Sequence, residues 1–399
     1  MDEYEDDFDD EPDDEVAASE ADQEVTPSCG KKTGGHLDYS DLRILKTLGG
    51  GAFAVIYSAT LGPQAIPCAV KVLVDSRASM EQKQDFQNEL RALEAAGNHP
   101  HVVRLLGACI TPKPCFVMEL LGSTLSQCMV DGPPRSLALP TPKSGLLSKA
   151  LPRAHTWPLH CVLSWAADVA SGLAHLHGLS PPILHRDVKA ANVLIRQSEV
   201  GGALFGVAVL TDFGISFSRA AAAGTPTYMA PELLATLDTG IGAAAAASSC
   251  ISRAADMYAF GTLLWSLLSG EEPWEGWRMV DIKRSVCAGT RPEVSKLRSD
   301  TPKSVLECLN ACWRGEPGTR LSAVQAHTTL RAACAASSEA FQVVQQGGGG
   351  MKGEEGGLPG AFDDALDTLA ASTYVNNKGG KKVGQLQQRT VFSGLAGKV

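Results

Sequence analysis

The stretch that most constrains this chain is ILHRDVKAANVLI, from Ile183 to Ile195. Five polar side chains, His185, Arg186, Asp187, Lys189 and Asn192, sit among aliphatic runs suited to a core. Burying such groups without partners costs several kcal/mol, roughly 2–7 for a neutral amide or hydroxyl and more for a charge. The segment is therefore an ordered loop whose polar groups are held as a set, by one another or by a ligand.

The surrounding pattern changes period along the chain. From Tyr39 to Val74, short β-type runs (LRILKTLGG, AFAVIYSATLG, IPCAVKVLV) alternate with Gly and Pro, as antiparallel strands do. SMEQKQDFQNELRALEAAG has a helical period, with Phe86, Leu90 and Leu93 on one face and Gly97 as its stop. HVVRLLGACI and PCFVMELLG read as two more strands, and GALFGVAVLTDFG as a short hairpin. HCVLSWAADVASGLAHLHGL is a helix, and RAADMYAFGTLLWSLLSG is apolar around most of its circumference, hence a buried one. Two segments lack any period: 131–158, rich in Pro, Ser and Lys, and 236–250, with its alanine run. Both read as insertions.

Composition matters mainly at the ends. The first 24 residues hold 14 Asp or Glu and no Lys or Arg, so the rest of the chain is net basic although the whole carries -9. Residues 1–38 are expected to be a disordered acidic tail, because like charges repel and little there can build a core. Residues 336–399, with QQGGGGMKGEEGGLPG, are expected to be a flexible Gly-rich tail, in which AFDDALDTLAAS has the spacing of a short amphipathic helix. The start of the chain has neither a basic n-region nor an apolar h-region, and no apolar run is long enough to span a bilayer. The expected location is the cytoplasm or the nucleus. The 11 cysteines follow no repeated spacing and read as reduced core residues; Cys308 and Cys312, at i,i+4, lack a second pair for zinc.

The polar groups of the opening stretch have partners elsewhere in the sequence. In LGGGAFAVIY, Gly49 and Gly51 lack a Cβ, so backbone N–H groups can approach phosphate oxygens. CAVK ends an apolar strand with Lys71, and Glu89, eighteen residues on, lies on the predicted helix. Each alone reads as a turn or a surface charge. Together they make a phosphate cradle in which Lys71 neutralises the nucleotide and Glu89 fixes its direction. Asp187 and Asn192 have the H-R-D-x-x-x-x-N spacing, and TDFG supplies Asp212 twenty residues beyond Asn192. Asp187 then accepts the proton of an attacking hydroxyl, and Asn192 and Asp212 offer the oxygen donors that magnesium prefers. Lys189 offsets charge on the transferred phosphoryl group. Ile183, Leu184, Val193 and Leu194 hold these groups in place, which is what phosphoryl transfer mainly requires.

Seven motifs stand in order: the Gly-rich loop, CAVK, the helix glutamate, HRDVKAAN, DFG, GTPTYMAPE and DMYAFG, followed by CWRGEPGTR. On these, residues from about 41 to 334 resemble a eukaryotic protein kinase domain. Lys189 in HRDVKAANVLI is similar to the serine/threonine kinases, and YMAPE and CW to their tyrosine-kinase-like group. The resemblance implies an α+β, two-lobed fold over residues 39–335. The N-lobe, about 39–121, is a small antiparallel sheet with one key helix; the C-lobe, about 122–335, is larger and mostly helical. It implies ATP and Mg2+ as cofactors and proteins with Ser/Thr acceptors as substrates, with no nucleic-acid partner. It implies a nucleotide site of Leu48, Gly49, Gly51, Ile56, Ala69, Lys71, Met118, Glu119, Leu121 and Leu194. In that site Ala69 and Leu194 enclose the purine, Met118 is the gatekeeper, and the backbone of 119–121 bonds the adenine. Leu93, Leu105, His185 and Phe213 would stack between the lobes, anchored at Asp256, and Arg320 would pair with Glu232. Two departures are Ala54 for the third glycine of the loop and Ile56 where valine is usual.

Two other functions compete with an active protein kinase. A pseudokinase scaffold generally lacks at least one of Lys71, Glu89, Asp187, Asn192 and Asp212, all present here. A small-molecule kinase would not need GTPTYMAPE, which shapes a peptide platform. Where activation-loop phosphates usually sit, this chain has Ala220 to Ala223. Ser216, Ser218 and Thr227 remain as acceptors that a phosphate could order against Arg186, with Ser218 the foremost and its effect modest. Thr225 is expected to bond Asp187 and Lys189 instead.

Overall fold

The computed structural model describes residues 35–50, 54–73, 79–109, 113–133, 157–200, 203–213, 226–237 and 250–346. A six-stranded sheet leads, in the order β1-β5-β6-β4-β3-β2. Its strands are β1 (Gly35–His36), β2 (Leu42–Gly50), β3 (Ala54–Leu61), β4 (Ile66–Leu73), β5 (Leu105–Cys109) and β6 (Cys115–Glu119). All pairings are antiparallel except β1 with β5. One face of the sheet buries Cys68, Val70, Val72, Cys115 and Val117 in a small core of their own. The strand-length alternation on β4 sends Ala69 and Lys71 to the other face.

Helix α1 (Met80–Ala96) follows β4. Ser79 and Gln82 form a reciprocal capping box at its start, and Gly97, at φ 61, ends it. Phe86 and Leu93 are buried and Leu90 half-buried, so the predicted face is the one that packs. Beyond β6 come α2 (Leu125–Asp131), α3 (Leu159–Gly178), the β7–β8 hairpin (Val193–Val200, Ala203–Leu210) and α4 (Pro231–Thr236). The chain then continues through α5 (Arg253–Ser269), α6 (Met279–Cys287), α7 (Lys303–Cys312) and α8 (Ala323–Gln346). α5 is buried on every side, as its unbroken apolar circumference requires. Leu263, Leu264, Leu267 and Leu268 are all fully enclosed, each contributing about 1.5–3 kcal/mol. This is the expected α+β architecture of a strand-rich N-lobe and a helical C-lobe.

Three boundaries differ from the sequence reading. Residues 35–37 join the sheet rather than the tail, and Asp38 caps the 3-10 turn Tyr39–Asp41: Gly35 and His36 pair with Gly107 and Ala108, and the Leu37 N–H donates to the Ala108 carbonyl at 3.0 Å. Helix α8 runs on to Gln346, past 335, although Cys334 already bonds the His160 carbonyl at the start of α3. The run 203–210 does not fold back on itself. It pairs with 193–200, the continuation of the opening stretch. The ends of the two insertions are ordered. Asp131 closes α2, Trp157 donates to the Cys128 carbonyl at 3.1 Å, and Thr236 belongs to α4. Most of both insertions, the first 34 residues and 347–399 lie outside the described residues.

Candidate active site

Register assembles the upper half of the site. Ile56 stands opposite Lys71, Lys71 opposite Phe116, and Ala69 opposite Met118, so these side chains share one face of the sheet. Ala69 is buried, and Ile56 and Met118 are half-buried. Leu48 and Gly49 lie on β2, where Leu48 is exposed and Gly49 pairs with Ile56. Gly51 lies outside the described residues. From Leu121 the chain passes along the hairpin: the Gly122 N–H donates to the Ile195 carbonyl at 3.0 Å, and the Ile195 N–H to Ser123 at 2.9 Å. Leu194, which precedes Ile195 and bridges to Thr124, is thereby held beside the 121–124 segment.

Lys71 does not reach for solvent. It is 4 % exposed and Glu89 2 %, and the ammonium is paired with Glu89 and, at 2.7 Å, with Asp212 Oδ1. Burial alone would lower the lysine pKa, but the Asp212 and Glu89 carboxylates outweigh it and hold it above the ordinary value. Burial likewise pushes Asp212 up, and Lys71 overrides it, bringing the carboxyl to about 2. The ammonium also lies 5.6 Å from the Phe116 ring centre.

The hairpin assembles the lower half. Val193 pairs with Leu210, so Asn192 on one side and Thr211–Asp212 on the other emerge at the same end. The Thr211 N–H donates to the Asn192 carbonyl at 3.0 Å, and its hydroxyl to Asp212 Oδ2 at 3.3 Å. Asn192 Nδ2 donates to Asp187 Oδ2 at 2.7 Å and to the Asp187 carbonyl at 2.9 Å, which leaves its amide oxygen for another partner. Lys189 Nζ sits 2.8 Å from Asp187 Oδ2. Asp187 Oδ1 is buried and has no hydrogen-bond partner among the described residues.

Asp256, at the first turn of α5, holds this loop from beneath. Its carboxylate accepts from the His185 N–H at 2.9 Å, the Arg186 N–H at 2.8 Å and His177 Nε2 at 2.8 Å. Burial would raise its pKa, but these donors, His177 foremost, bring it below the ordinary carboxylate range. Burial lowers the pKa of His185 against the pull of Asp256, Asp187 and Asp212. Arg186 (φ 70) and Asp212 (φ 55) both take left-handed backbone, a strain of order 1–3 kcal/mol each that the loop's bonds sustain. Leu93, Leu105 and Phe213 share the main core, and the Phe213 ring lies 6.1 Å from that of His185.

Below the site, Arg320 makes a two-pronged pair with Glu232 at 2.7 Å on both oxygens. Thr227 occupies a 3-10 turn, Pro226–Tyr228, while Ser216, Ser218 and Thr225 lie outside the described residues. Reading the sequence missed His177, Thr211 and Arg196. Arg196 bonds Glu119 Oε1 at 2.7 Å and the Pro100 carbonyl at 2.8 Å, so the Glu119 side chain is engaged away from the nucleotide face. No local signal marks these three; His177 and Arg196 act through partners distant in sequence, and Thr211 through Asn192 as well as its neighbour Asp212.

Comparisons with known proteins give the same picture. A family model for protein tyrosine and serine/threonine kinases matches residues 42–330. A putative serine/threonine-protein kinase/receptor of Acanthamoeba polyphaga mimivirus is 26% identical over 288 residues, 72% of this chain and 15% of that protein. The mouse mitogen-activated protein kinase kinase kinase 10 is 28% identical over 294 residues, 71% of this chain and 27% of its own length. The serine/threonine-protein kinase CTR1 of Arabidopsis thaliana is 28% identical over 293 residues, 72% of this chain and 31% of that protein. The chain thus spans less than a third of the length of each of these relatives. On the match of 42–330 and the paired groups that this region folds together, the chain belongs to the protein kinase family, in the company of its tyrosine-kinase-like serine/threonine members.

Proposed function

We propose that the protein is a catalytically active serine/threonine kinase that transfers the γ-phosphoryl group of ATP to Ser or Thr hydroxyls of protein substrates in signalling. The observation that carries this reading is the placement of Lys71 between Glu89 and Asp212, which joins strand, helix and hairpin in one charged cluster. The family uses ATP and a divalent metal, generally Mg2+. The donors fit such a metal: Asp212 and the free amide oxygen of Asn192 are hard oxygens, few in number, as magnesium prefers. When bound, the metal neutralises charge on the phosphate oxygens.

The chain's own residues supply the rest. Lys71 positions phosphate, and Glu89 keeps its ammonium aimed. Ile56, Ala69, Met118 and Leu194 enclose the base, with backbone bonds from Glu119 and Leu121. Leu48 and Gly49 cover the nucleotide on the β2 side. Asp187 orients the acceptor hydroxyl and takes its proton on Oδ1, the buried oxygen with no partner among the described residues. Lys189 and Asn192 occupy the other oxygen and so fix the carboxylate's rotation. Incubating the full chain with radiolabelled ATP, magnesium and a Ser/Thr peptide library tests this. Label on serine and threonine supports it. A folded protein that binds nucleotide and transfers no label is a pseudokinase, and label on small molecules alone would mean a different kinase class.

A further inference from the structure

We infer that the exposed apolar ridge at the start of α6 seats a second copy of this chain, in a weak two-fold dimer. Trp277, Met279 and Val280 are 49 %, 46 % and 71 % exposed. The helix does not need them for its own packing: Ile282 and Val286 are the buried residues of α6. Tryptophan and methionine are among the residues that interface centres concentrate.

The preceding turn holds the ridge still. Trp274 takes left-handed backbone at φ 61, which a bulky side chain ordinarily avoids. The bend packs Trp274 onto the main core and sets Trp277 edge-on against it, with ring centres 5.2 Å apart. An indole kept out of the core yet fixed in place is preorganised to bind.

The charges around the ridge select the occupant. Residues 271–284 hold four carboxylates and three cations, so neither a strongly acidic nor a strongly basic partner is favoured. The signs are separated along the chain. Glu271, Glu272 and Glu275 precede Trp277, whereas Arg278, Lys283 and Arg284 follow it, with Asp281 among them. At the acidic end, Lys296 meets Glu271 at 2.8 Å, and the Tyr228 hydroxyl donates to Glu272 at 3.2 Å. Glu293 lies at this end too, near Lys296. Glu275 is exposed and makes no hydrogen bond or ion pair among the described residues. At the basic end, Asp281 is shared by Arg278 at 2.7 Å and Arg284 at 3.0 Å, so one carboxylate meets two guanidiniums and a positive excess remains. A surface with an apolar centre, a negative end and a positive end complements its own copy turned by half a revolution, because a two-fold contact pairs residue i with j and j with i. An axis passing near Met279 sets Glu275 of each copy toward Arg284 of the other. Three apolar side chains and these charges fall short of the roughly 800 Å² per partner of a standard interface, so a dissociation constant on the order of 10–100 μM is expected.

The test is sedimentation velocity of the full chain from about 1 to 300 μM, beside its Val280→Asp, Glu275→Arg and Arg284→Glu variants. The parent is expected to pass from monomer to dimer across this range. Val280→Asp, with a parental circular dichroism spectrum, is expected to stay monomeric. Each charge variant should weaken the dimer at least about tenfold, since like charges then meet at both symmetric contacts. An equimolar mixture of the Glu275→Arg and Arg284→Glu chains places opposite charges at both contacts again and is expected to dimerise as the parent does. Neither a misfolded variant nor a contact with some other partner gives that rescue. A parent that stays monomeric throughout overturns the inference and leaves the ridge to a different protein or to the chain's own C-terminal segment. So does a dimer that Val280→Asp leaves intact, or a mixture that associates no more tightly than its two components.

Discussion

Asp187 has one carboxylate oxygen shared by Lys189 and Asn192 and another buried without a described partner, an asymmetry that only a donor from outside the loop relieves. Asp187→Asn keeps the size and the bonds to the loop but loses the proton acceptor. Turnover is expected to fall about 10²–10⁴-fold with ATP affinity and circular dichroism near the parent's, read from initial rates and nucleotide titration. Unchanged turnover would remove Asp187 from its role. At this scale the sequence was most readable. Lys71, Glu89, Asp187, Asn192 and Asp212 are five residues spread over 142 positions, and the fold gathers them. Their types and spacings are visible because chemistry dictates them. His177 and Thr211 were not visible, because a histidine in a helix and a threonine at a strand end have many other uses.

Among elements, the loop between α1 and β5 is tied down by histidines. His99 stacks on His175 at 4.4 Å, His175 Nε2 donates to the Ala96 carbonyl at 2.7 Å, and His101 Nδ1 donates to Ala208 at 3.2 Å. Burial, then the neighbouring histidines, lowers the His99 pKa to about 3. Burial lowers that of His101 to about 4, although its bond to Ala208 opposes this. Both values lie below the unfolded value near 6.5, so the unfolded chain binds more protons below that pH. The stabilisation is complete above about pH 6.5, falls with pH, and is spent near pH 4 for His101 and near pH 3 for His99. For His101 the slope approaches about 1.4 kcal/mol per pH unit; His99 is partly exposed and contributes less. Urea unfolding from pH 7 to 4.5 should show this fall, and a His101→Gln variant a flatter one. Equal slopes would reject the assignment. A second element pair, Arg320 with Glu232, joins α4 to the turn ahead of α8. Arg320→Met strands Glu232 in a partly buried site, with an expected loss of about 3–5 kcal/mol on chemical denaturation. Restoring part of it with Glu232→Leu in the same chain would separate the stranded charge from lost packing. These elements were legible where their apolar period was strong, as in α1 and α5. They were not where pairing depended on a distant strand, as with β1 and the β7–β8 hairpin.

At the scale of the whole molecule, Lys71 with Asp212 and Glu119 with Arg196 are ionic links, among the described residues, that join the sheet to the helical part. A nucleotide held between Ala69 above and Leu194 below would add an apolar link to these. At free ATP·Mg about a hundredfold above Kd, stability should rise by about 2.7 kcal/mol, seen as a higher Tm in a thermal shift assay. Asp212→Asn should lose the magnesium-dependent part of that rise, and an unchanged magnesium titration would contradict the metal assignment. The two-lobed plan itself was readable from motif order, because the motifs in that order resemble a protein kinase domain, not because the period of each element declared it.

The pairing of Lys71 also sets its reactivity toward reagents. An amine attacks an electrophile only as its free base, and two carboxylates hold this one as ammonium, above the ordinary lysine range. Amine-directed covalent probes aimed at Lys71 are therefore expected to react more slowly than with an unpaired lysine. A probe that first draws Asp212 away will react faster than one that simply fits the cleft.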